Sequence, residues 1–517
     1  MGGPRQIRDW LVAAQTEVLH GELIAAQATL TQALADHPTS VELRRAQAGV
    51  LSKNGLDAEA EALLRGLLRE NAGDMASAFA LASVLTNRGR TAAAAAVMHA
   101  CLADEPNSRD PDLAIRAIEL LDDCDRKSDA AAIAENILRA IPDDTRLHAY
   151  AGMLQIQLGE FARARQHYLF ALQHDGRAWE WHVPIGLAAA QHYQGVEHPD
   201  LALLRSGLQR DGVSDKARAE LHFALGKAHD DFGDYPQAAR HFQEGNAIAH
   251  RLTKWSRKSW RRAVEARLAS KPTAHLLEPP TEFTPVFIVG MPRSGTTLLA
   301  ELLSRHPKVC NRGELPWITK LAGLPSLAGN PGRADLQGAA ATYTARSRQD
   351  DAGDARWFID KQPLNFRYVD LILAMFPNAR IIYCRRSSRD TALSLWMQCF
   401  LEDVQGYAYD FGDIALVMRD CERLMAHWRG RWTDSIRTVH YEELVADTSG
   451  VIQSLNDWIG FPPSQAVAPA AEVPAGAIST ASLWQARQLL KGVPLQAHFQ
   501  KKMEPLLSML PIRMQRC

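Results

Sequence analysis

Cysteine is scarce: there are seven in 517 residues, scattered at positions 101, 124, 310, 384, 399, 421 and 517, with no C-x-x-C pair and no Cys/His cluster at metal-ligand spacing. This excludes a disulfide framework and a zinc site of familiar spacing, and it predicts free thiols in a reducing compartment. Net charge is missing too. With 58 Lys plus Arg against 59 Asp plus Glu, there is no global basic field for nucleic acid or anionic membrane, so any polyanion must be met locally. Long apolar runs are also absent. No window approaches the roughly 18 apolar residues of a spanning helix, and the start "MGGPRQIRDWLVAAQ" has neither the apolar core nor the cleavage site of a secretory signal. A soluble, cytoplasmic protein without metal, nucleic acid or membrane as partner is expected. The length exceeds one ordinary core and predicts about two to four domains.

What the first half does contain is a repeat. Gly21 precedes Ala26, Gly55 precedes Ala60, Gly89 precedes Ala94, Gly159 precedes Ala164 and Gly233 precedes Ala238, all in a G-x-x-x-x-A frame, and the first three frames lie 34 residues apart. Pro38, Pro106 and Pro142 fall near unit ends, where proline stops a helix without costing an internal hydrogen bond. This period of paired helices resembles the tetratricopeptide repeat. Small residues at the Gly and Ala positions are expected to let the helices of a pair approach closely. The unit around "KSDAAAIAENILRAIPDD" lacks the glycine, and an atypical pair is expected around "WEWHVPIGLAAAQHYQG", with Trp179 and Trp181 as packing residues.

The helical grammar ends near residue 270. "SKPTAHLLEPPTEFTP" carries four prolines in 16 residues, a linker signal because each proline removes a donor and biases its predecessor to extended geometry. Beyond it, "PVFIVG", "WFID", "ARIIYC" and "IRTVHY" are short apolar runs separated by helical patterns, which predicts an α/β layered domain with a parallel sheet. The expected organisation is an all-α helical-repeat region over 1–268, a linker over 269–284 and an α/β domain over 285–517.

The first strand runs into "MPRSGTT", a phosphate-loop frame in which Thr296 stands where a lysine is usual and Arg293 precedes the second glycine. The N–H groups of Gly295, Thr296 and Thr297 at a helix start, with the hydroxyls of Ser294, Thr296 and Thr297, suit an anion. A second anion site is expected from Arg386 at a strand end and Ser394 eight residues on, since a guanidinium offers bidentate donation.

The two sites in this order resemble the sulfotransferases that use 3′-phosphoadenosine 5′-phosphosulfate (PAPS). The resemblance implies that "PRSGTT" holds the 5′-phosphosulfate and that Arg386, Asp390 and Ser394 bind the 3′-phosphate. "NRGELPWI" and "IDKQPLNF" are similar to strings of the tyrosylprotein and tetratricopeptide types, and place Glu314 as the base and Lys361 as a catalytic lysine. "VHYEELVAD" places Tyr441 on the nucleotide, and the family-like Thr480-Ala481-Ser482 and Gln485 add Ser482 to the donor site. The usual Arg-Trp pair that follows is absent, and Lys491, Lys501 or Lys502 could substitute for it.

A lysine-free loop suits this donor, because a transferring sulfuryl carries one fewer negative charge than a phosphoryl and its leaving group is a single phosphate. In-line transfer is implied, with Glu314 taking the acceptor proton while Arg293 and Lys361 neutralise developing charge. A protein tyrosine, a carbohydrate and a small-molecule hydroxyl all remain open as acceptors, and the repeats could hold the acceptor or a partner protein. Two other readings stand beside this one: a P-loop kinase or NTPase with Asp360 as a metal-holding strand end, and an inactive domain on a repeat scaffold. Finally, "RLTKWSRKSWRRAVEARL" sets seven cations against the single acid Glu265. It is either a solvated helix face or a guide for an acidic acceptor.

Overall fold

A computed structural model describes residues 6–103, 107–270, 276–400 and 403–462. These fall into two compact units, one within Met1–Tyr150 together with Ala345–Gly353, the other within Ala151–Thr344 and from Asp354 onward.

The repeats are antiparallel helix pairs: Ile7–Leu19 with Leu23–Asp36, Val41–Lys53 with Asp57–Glu70, Met75–Asn87 with Thr91–Leu102, and Pro111–Asp123 with Lys127–Ala140. Thr145–Leu158 with Phe161–His174 and Asp215–Asp231 with Tyr235–Leu252 continue the series. Each turn closes in one way. The first helix ends in a left-handed residue, Gly21, Gly55, Gly89, Gly159 or Gly233 with φ between 72° and 85°. The next amide then reaches back five residues, as in Glu22 N to Glu17 O (2.8 Å) and Arg90 N to Leu85 O (2.8 Å). The unit without a glycine uses Asp125 at φ 59°, with Arg126 N reaching Leu121 O at 2.8 Å. Aspartate tolerates that region better than most residues.

The structure corrects the reason for these glycines. A Cβ added at Gly21 or Gly55 would meet nothing within 4 Å, so there the requirement is the backbone angle, whereas at Gly89 a Cβ would also lie 2.1 Å from Ala345 O and close approach adds to it. The alanines carry the packing: Ala26, Ala60, Ala94, Ala130, Ala164 and Ala238 are all fully buried. In the atypical stretch Trp179 is buried, and a Cβ on Gly207 would lie 2.3 Å from its ring, a packing role. Within the first unit the Asp350 carboxylate accepts from Ala92 N (2.8 Å) and Ala93 N (3.0 Å), capping the helix Thr91–Leu102, whose own N-cap residue Arg90 supplies no side-chain acceptor.

The second unit contains a five-stranded, wholly parallel sheet in the order β2-β3-β1-β4-β5. The strands are β1 (Thr284–Gly290), β2 (Val309–Asn311), β3 (Trp357–Asp360), β4 (Arg380–Arg385) and β5 (Ile436–His440). Four of them match the apolar runs of the sequence. The fifth, β2, spans only "VCN" and is too short to show a period. Both faces are covered, as a parallel sheet requires. Val286, Ile288, Ile359, Ile382 and Val439 pack on Leu299, Leu303, Leu455 and Ile459, while Phe287 faces Tyr343 on the other side at 5.6 Å.

The basic run Arg251–Arg267 is partly consumed within this unit. Arg257 pairs with Asp413 and Asp410, Arg267 with Asp370, and Trp260 Nε1 donates to Asp420 Oδ2 at 2.9 Å. Arg257 and Trp260 tie the helix Arg257–Leu268 to Phe411–Arg431 and Arg267 ties it to Val369–Met375, while Arg257, Lys258, Arg261 and Arg262 stay exposed. Six cysteines are free among the described residues, and no helix of these residues is long and apolar enough to cross a membrane.

Candidate active site

Because every strand is parallel, all five carboxyl ends open on one edge. Arg293 lies three residues past β1, Glu314 three past β2, Lys361 directly after β3, Arg386 directly after β4 and Tyr441 directly after β5. The connection from β1 leads toward β2 and that from β4 toward β5, so the neighbours β1 and β4 flank the topological switch point. Ligands of open α/β sheets bind in that crevice.

At the switch point the loop after β1 is strained into shape. Arg293 has φ 72° and Gly295, the N-cap of the helix Thr296–Leu303, has φ 95°. The first is costly for a side-chain-bearing residue, and the second suits glycine alone here, because a Cβ on Gly295 would lie 2.5 Å from Tyr441 Cδ2. Ser294 Oγ donates to Met291 O at 2.7 Å, so its hydroxyl braces the loop. Thr296 and Thr297 are buried at the helix start, the end whose dipole favours an anion.

Arg293 joins the two halves of the expected donor site. Its Nε donates to Ser394 Oγ at 2.9 Å, and its carbonyl accepts from an Arg386 amino group at 3.2 Å. Ser394 lies on the helix Ser388–Trp396 after β4, so Arg386 and Ser394 meet through Arg293. The Arg386 guanidinium sits 4.6 Å above the Tyr441 ring, a cation–π contact. Burial, with the like charge of Arg386 adding, pushes the Arg293 guanidinium down to about 10. A bound anion would relieve that state, so the side chains present fit a polyanionic ligand. Asp390, in the first turn of the same helix, is raised by burial and held down in part by the charge of Arg386. Its charge therefore bears on Arg386.

A second group forms between β2 and β3. The buried Lys361 ammonium is hydrogen-bonded to Glu314 Oε1, whose side chain is 31% exposed. Their backbones are linked as well, with Lys361 N donating to Gly313 O at 2.8 Å. Sequence reasoning missed Tyr343 here and Glu442 on the other side of the sheet, and it offers Asp360 only as a metal-holding strand end. Glu442 accepts from Ser387 N at 2.9 Å, tying the loop after β4 to that after β5. Asp360 and Tyr343 form a buried pair at 2.9 Å beside Lys361. An acid ending a strand buried throughout was the available signal for Asp360. Its carboxylate accepts from Tyr343, Gln362 N and Asn365, and among the described residues no group of three or more His, Cys, Asp or Glu could hold a metal ion. Thr480, Ala481, Ser482, Gln485, Lys491, Lys501 and Lys502 lie outside the described residues.

Residues 285–465 match the family model described as "Sulfotransferase family", so the C-terminal region carries a sulfotransferase family domain. An uncharacterized protein of Aquifex aeolicus is 28% identical over 363 residues, covering 64% of this chain and 46% of that protein. A protein-tyrosine sulfotransferase of Drosophila melanogaster is 23% identical over 248 residues, 36% of this chain and 49% of that protein. Among solved structures, the sulfotransferase domain of the Synechococcus PCC 7002 olefin synthase is 20% identical, with a TM-score of 0.31, covering 47% of this chain and 99% of that domain. The chain spans about half the length of the curated relatives it matches.

Proposed function

We propose that the chain transfers a sulfuryl group from PAPS to an acceptor hydroxyl. The observation that carries this reading is the buried Arg293–Ser394 hydrogen bond with Arg386 on the Arg293 carbonyl. It sets two guanidinium groups and a helix N-terminus around one crevice, with room in the logic for two anions on one ligand. In this reading Gly295, Thr296 and Thr297 hold the 5′-phosphosulfate, Arg386 and Ser394 hold the 3′-phosphate, and Tyr441 and Ser482 complete the donor site, the last from outside the described residues. Ser294 supports the loop.

Transfer forms a bond from the acceptor oxygen to sulfur and breaks the bond from sulfur to the 5′-phosphate oxygen. Glu314 takes the acceptor proton, and adenosine 3′,5′-bisphosphate leaves with the electron pair. Arg293 and Lys361 stabilise the charge that moves from acceptor to leaving group. The Glu314–Lys361 contact supports this division, because one side chain is partly exposed to an incoming acceptor and the other is buried. Neither step calls for a metal. The functional division is a repeat region (1–268), a linker (269–284) and a catalytic region (285–517), in a cytoplasmic enzyme whose repeats present an acceptor or partner protein. Similarity to a protein-tyrosine sulfotransferase makes a peptide tyrosine the first acceptor to try.

The test is radiolabelled PAPS offered with a tyrosine peptide, a glycan and a phenol in the presence of a chelator, with calorimetry of adenosine 3′,5′-bisphosphate alongside. Labelled acceptor and chelator-insensitive binding are expected. Phosphoryl transfer from ATP with Mg²⁺, and no binding of the bisphosphate, would overturn the reading.

A further inference from the structure

Asp360 ends β3, stands next to Lys361 and is 1% exposed, an expensive place for a carboxylate unless donors surround it. Four do. Tyr343 Oη donates at 2.9 Å, Gln362 N at 3.1 Å, Asn365 Nδ2 at 3.4 Å, and the Leu315 amide completes the set. Two of these are the backbone amides that directly follow Lys361 and Glu314. Arg312 N to Ile359 O at 2.9 Å and Lys361 N to Gly313 O at 2.8 Å lace the same segments together. The Asp360 carboxylate thus accepts backbone amides from both the loop after β2 and the turn after β3. Its anchor is stiff: Tyr343 is buried and packed on Phe283, Phe287 and Phe376 with centroids 5.4 to 6.4 Å apart.

We propose that Asp360 is a positioning residue for the transfer, holding the Leu315 and Gln362 amides so that Glu314 and Lys361 keep their mutual register. The proposal rests on the roles given to that pair above. The groups facing the carboxylate are Tyr343 from the helix Arg333–Arg348, Glu314 from the loop after β2 and Lys361 from its own turn. Burial, together with the like charge of Glu314, pushes Asp360 up to about 7, whereas the Tyr343 hydrogen bond pulls it down. The anion accepts from all four donors. The neutral acid must use one oxygen as a donor and loses grip, so turnover falls as pH drops through about 7.

The full chain is compared with Asp360→Asn and Tyr343→Phe by hydrogen exchange, calorimetry with adenosine 3′,5′-bisphosphate, and pH–rate profiles. Asp360→Asn should speed amide exchange in peptides covering 312–316 and 361–365 about tenfold or more, and leave bisphosphate affinity within about threefold. It should lower kcat about 10²-fold, the scale of a small misplacement of reacting groups, and abolish the limb near pH 7. Tyr343→Phe keeps the carboxylate, so its limb should move to higher pH, an effect that a purely structural residue does not produce. Unchanged exchange in both peptides, or a limb unmoved in both variants, overturns the proposal. If Asp360→Asn does not fold, the limb and exchange of Tyr343→Phe decide alone. A wild-type chain that transfers no sulfuryl defeats the functional reading, while amide exchange still decides whether Asp360 holds the two segments.

Discussion

Arg293 Nε and Ser394 Oγ are hydrogen-bonded at 2.9 Å although 101 residues separate them in the chain. The bond ties the loop after β1 to the helix after β4, and it makes the two proposed anion sites mechanically dependent on one another.

Ser394→Ala therefore removes a proposed phosphate ligand and also the acceptor of a buried cation. Leaving a buried donor unsatisfied costs about 1–3 kcal/mol, so adenosine 3′,5′-bisphosphate affinity should fall about 5- to 100-fold and the apo protein should melt several degrees lower. Calorimetry and thermal melting check both; an unchanged affinity would remove Ser394 from the donor site.

The depressed Arg293 gives a proton-linked prediction. Its folded value, about 10, lies well below the ordinary guanidinium range, so the cation costs stability at every pH below about 10, and that cost is relieved as pH rises beyond about 10. A bound anion raises the value again. Binding of the bisphosphate near pH 10 should thus take up protons, and affinity should weaken above it. Calorimetry in buffers of different ionisation heat measures the uptake, and proton release on binding is the result that contradicts it.

Gly295→Ala should damage the loop twice, through a φ of 95° and a Cβ 2.5 Å from the Tyr441 ring. A destabilisation of about 1–3 kcal/mol is expected from the backbone alone. Tyr441→Ala in the same chain should recover part of it, with a coupling of about 0.5–3 kcal/mol. Strict additivity in denaturant unfolding would show that the ring is not what the added methyl meets.

Glu314→Gln should leave donor affinity within about threefold and slow transfer by about 10² to 10⁴, the usual cost of a lost general base. Arg386→Ala should do the reverse, weakening the bisphosphate at least about tenfold, with less effect on adenosine 5′-phosphosulfate, which lacks the 3′-phosphate. Steady-state kinetics on the acceptor found in the transfer assay, with calorimetry of both nucleotides, separates the two behaviours. Turnover of the Gln variant within about threefold of wild type would require another base.

The sequence by itself determined the elements and their order. The glycine–alanine frame marks helix pairs because a left-handed turn and a fully buried small residue recur at fixed spacing, and β1, β3, β4 and β5 are legible as short β-branched runs. The loop after β1 and Arg386 are legible because each follows a strand end, while Glu314 and Lys361 are legible only through the resemblance of their strings to a family. Other features depend on register, which no local pattern carries. Asp125 is invisible as a glycine substitute until its φ is known. Ser394 receives Arg293 only because β4 lies beside β1, Tyr441 excludes a side chain at Gly295 only because β5 lies beside β4, and Asp360 grips Leu315 only because β2 pairs with β3. Parallel strands meet through long crossovers, so the residues that share the carboxyl edge of the sheet are brought together by the order of the strands, and that order is decided by the packing of helices on both faces of the sheet.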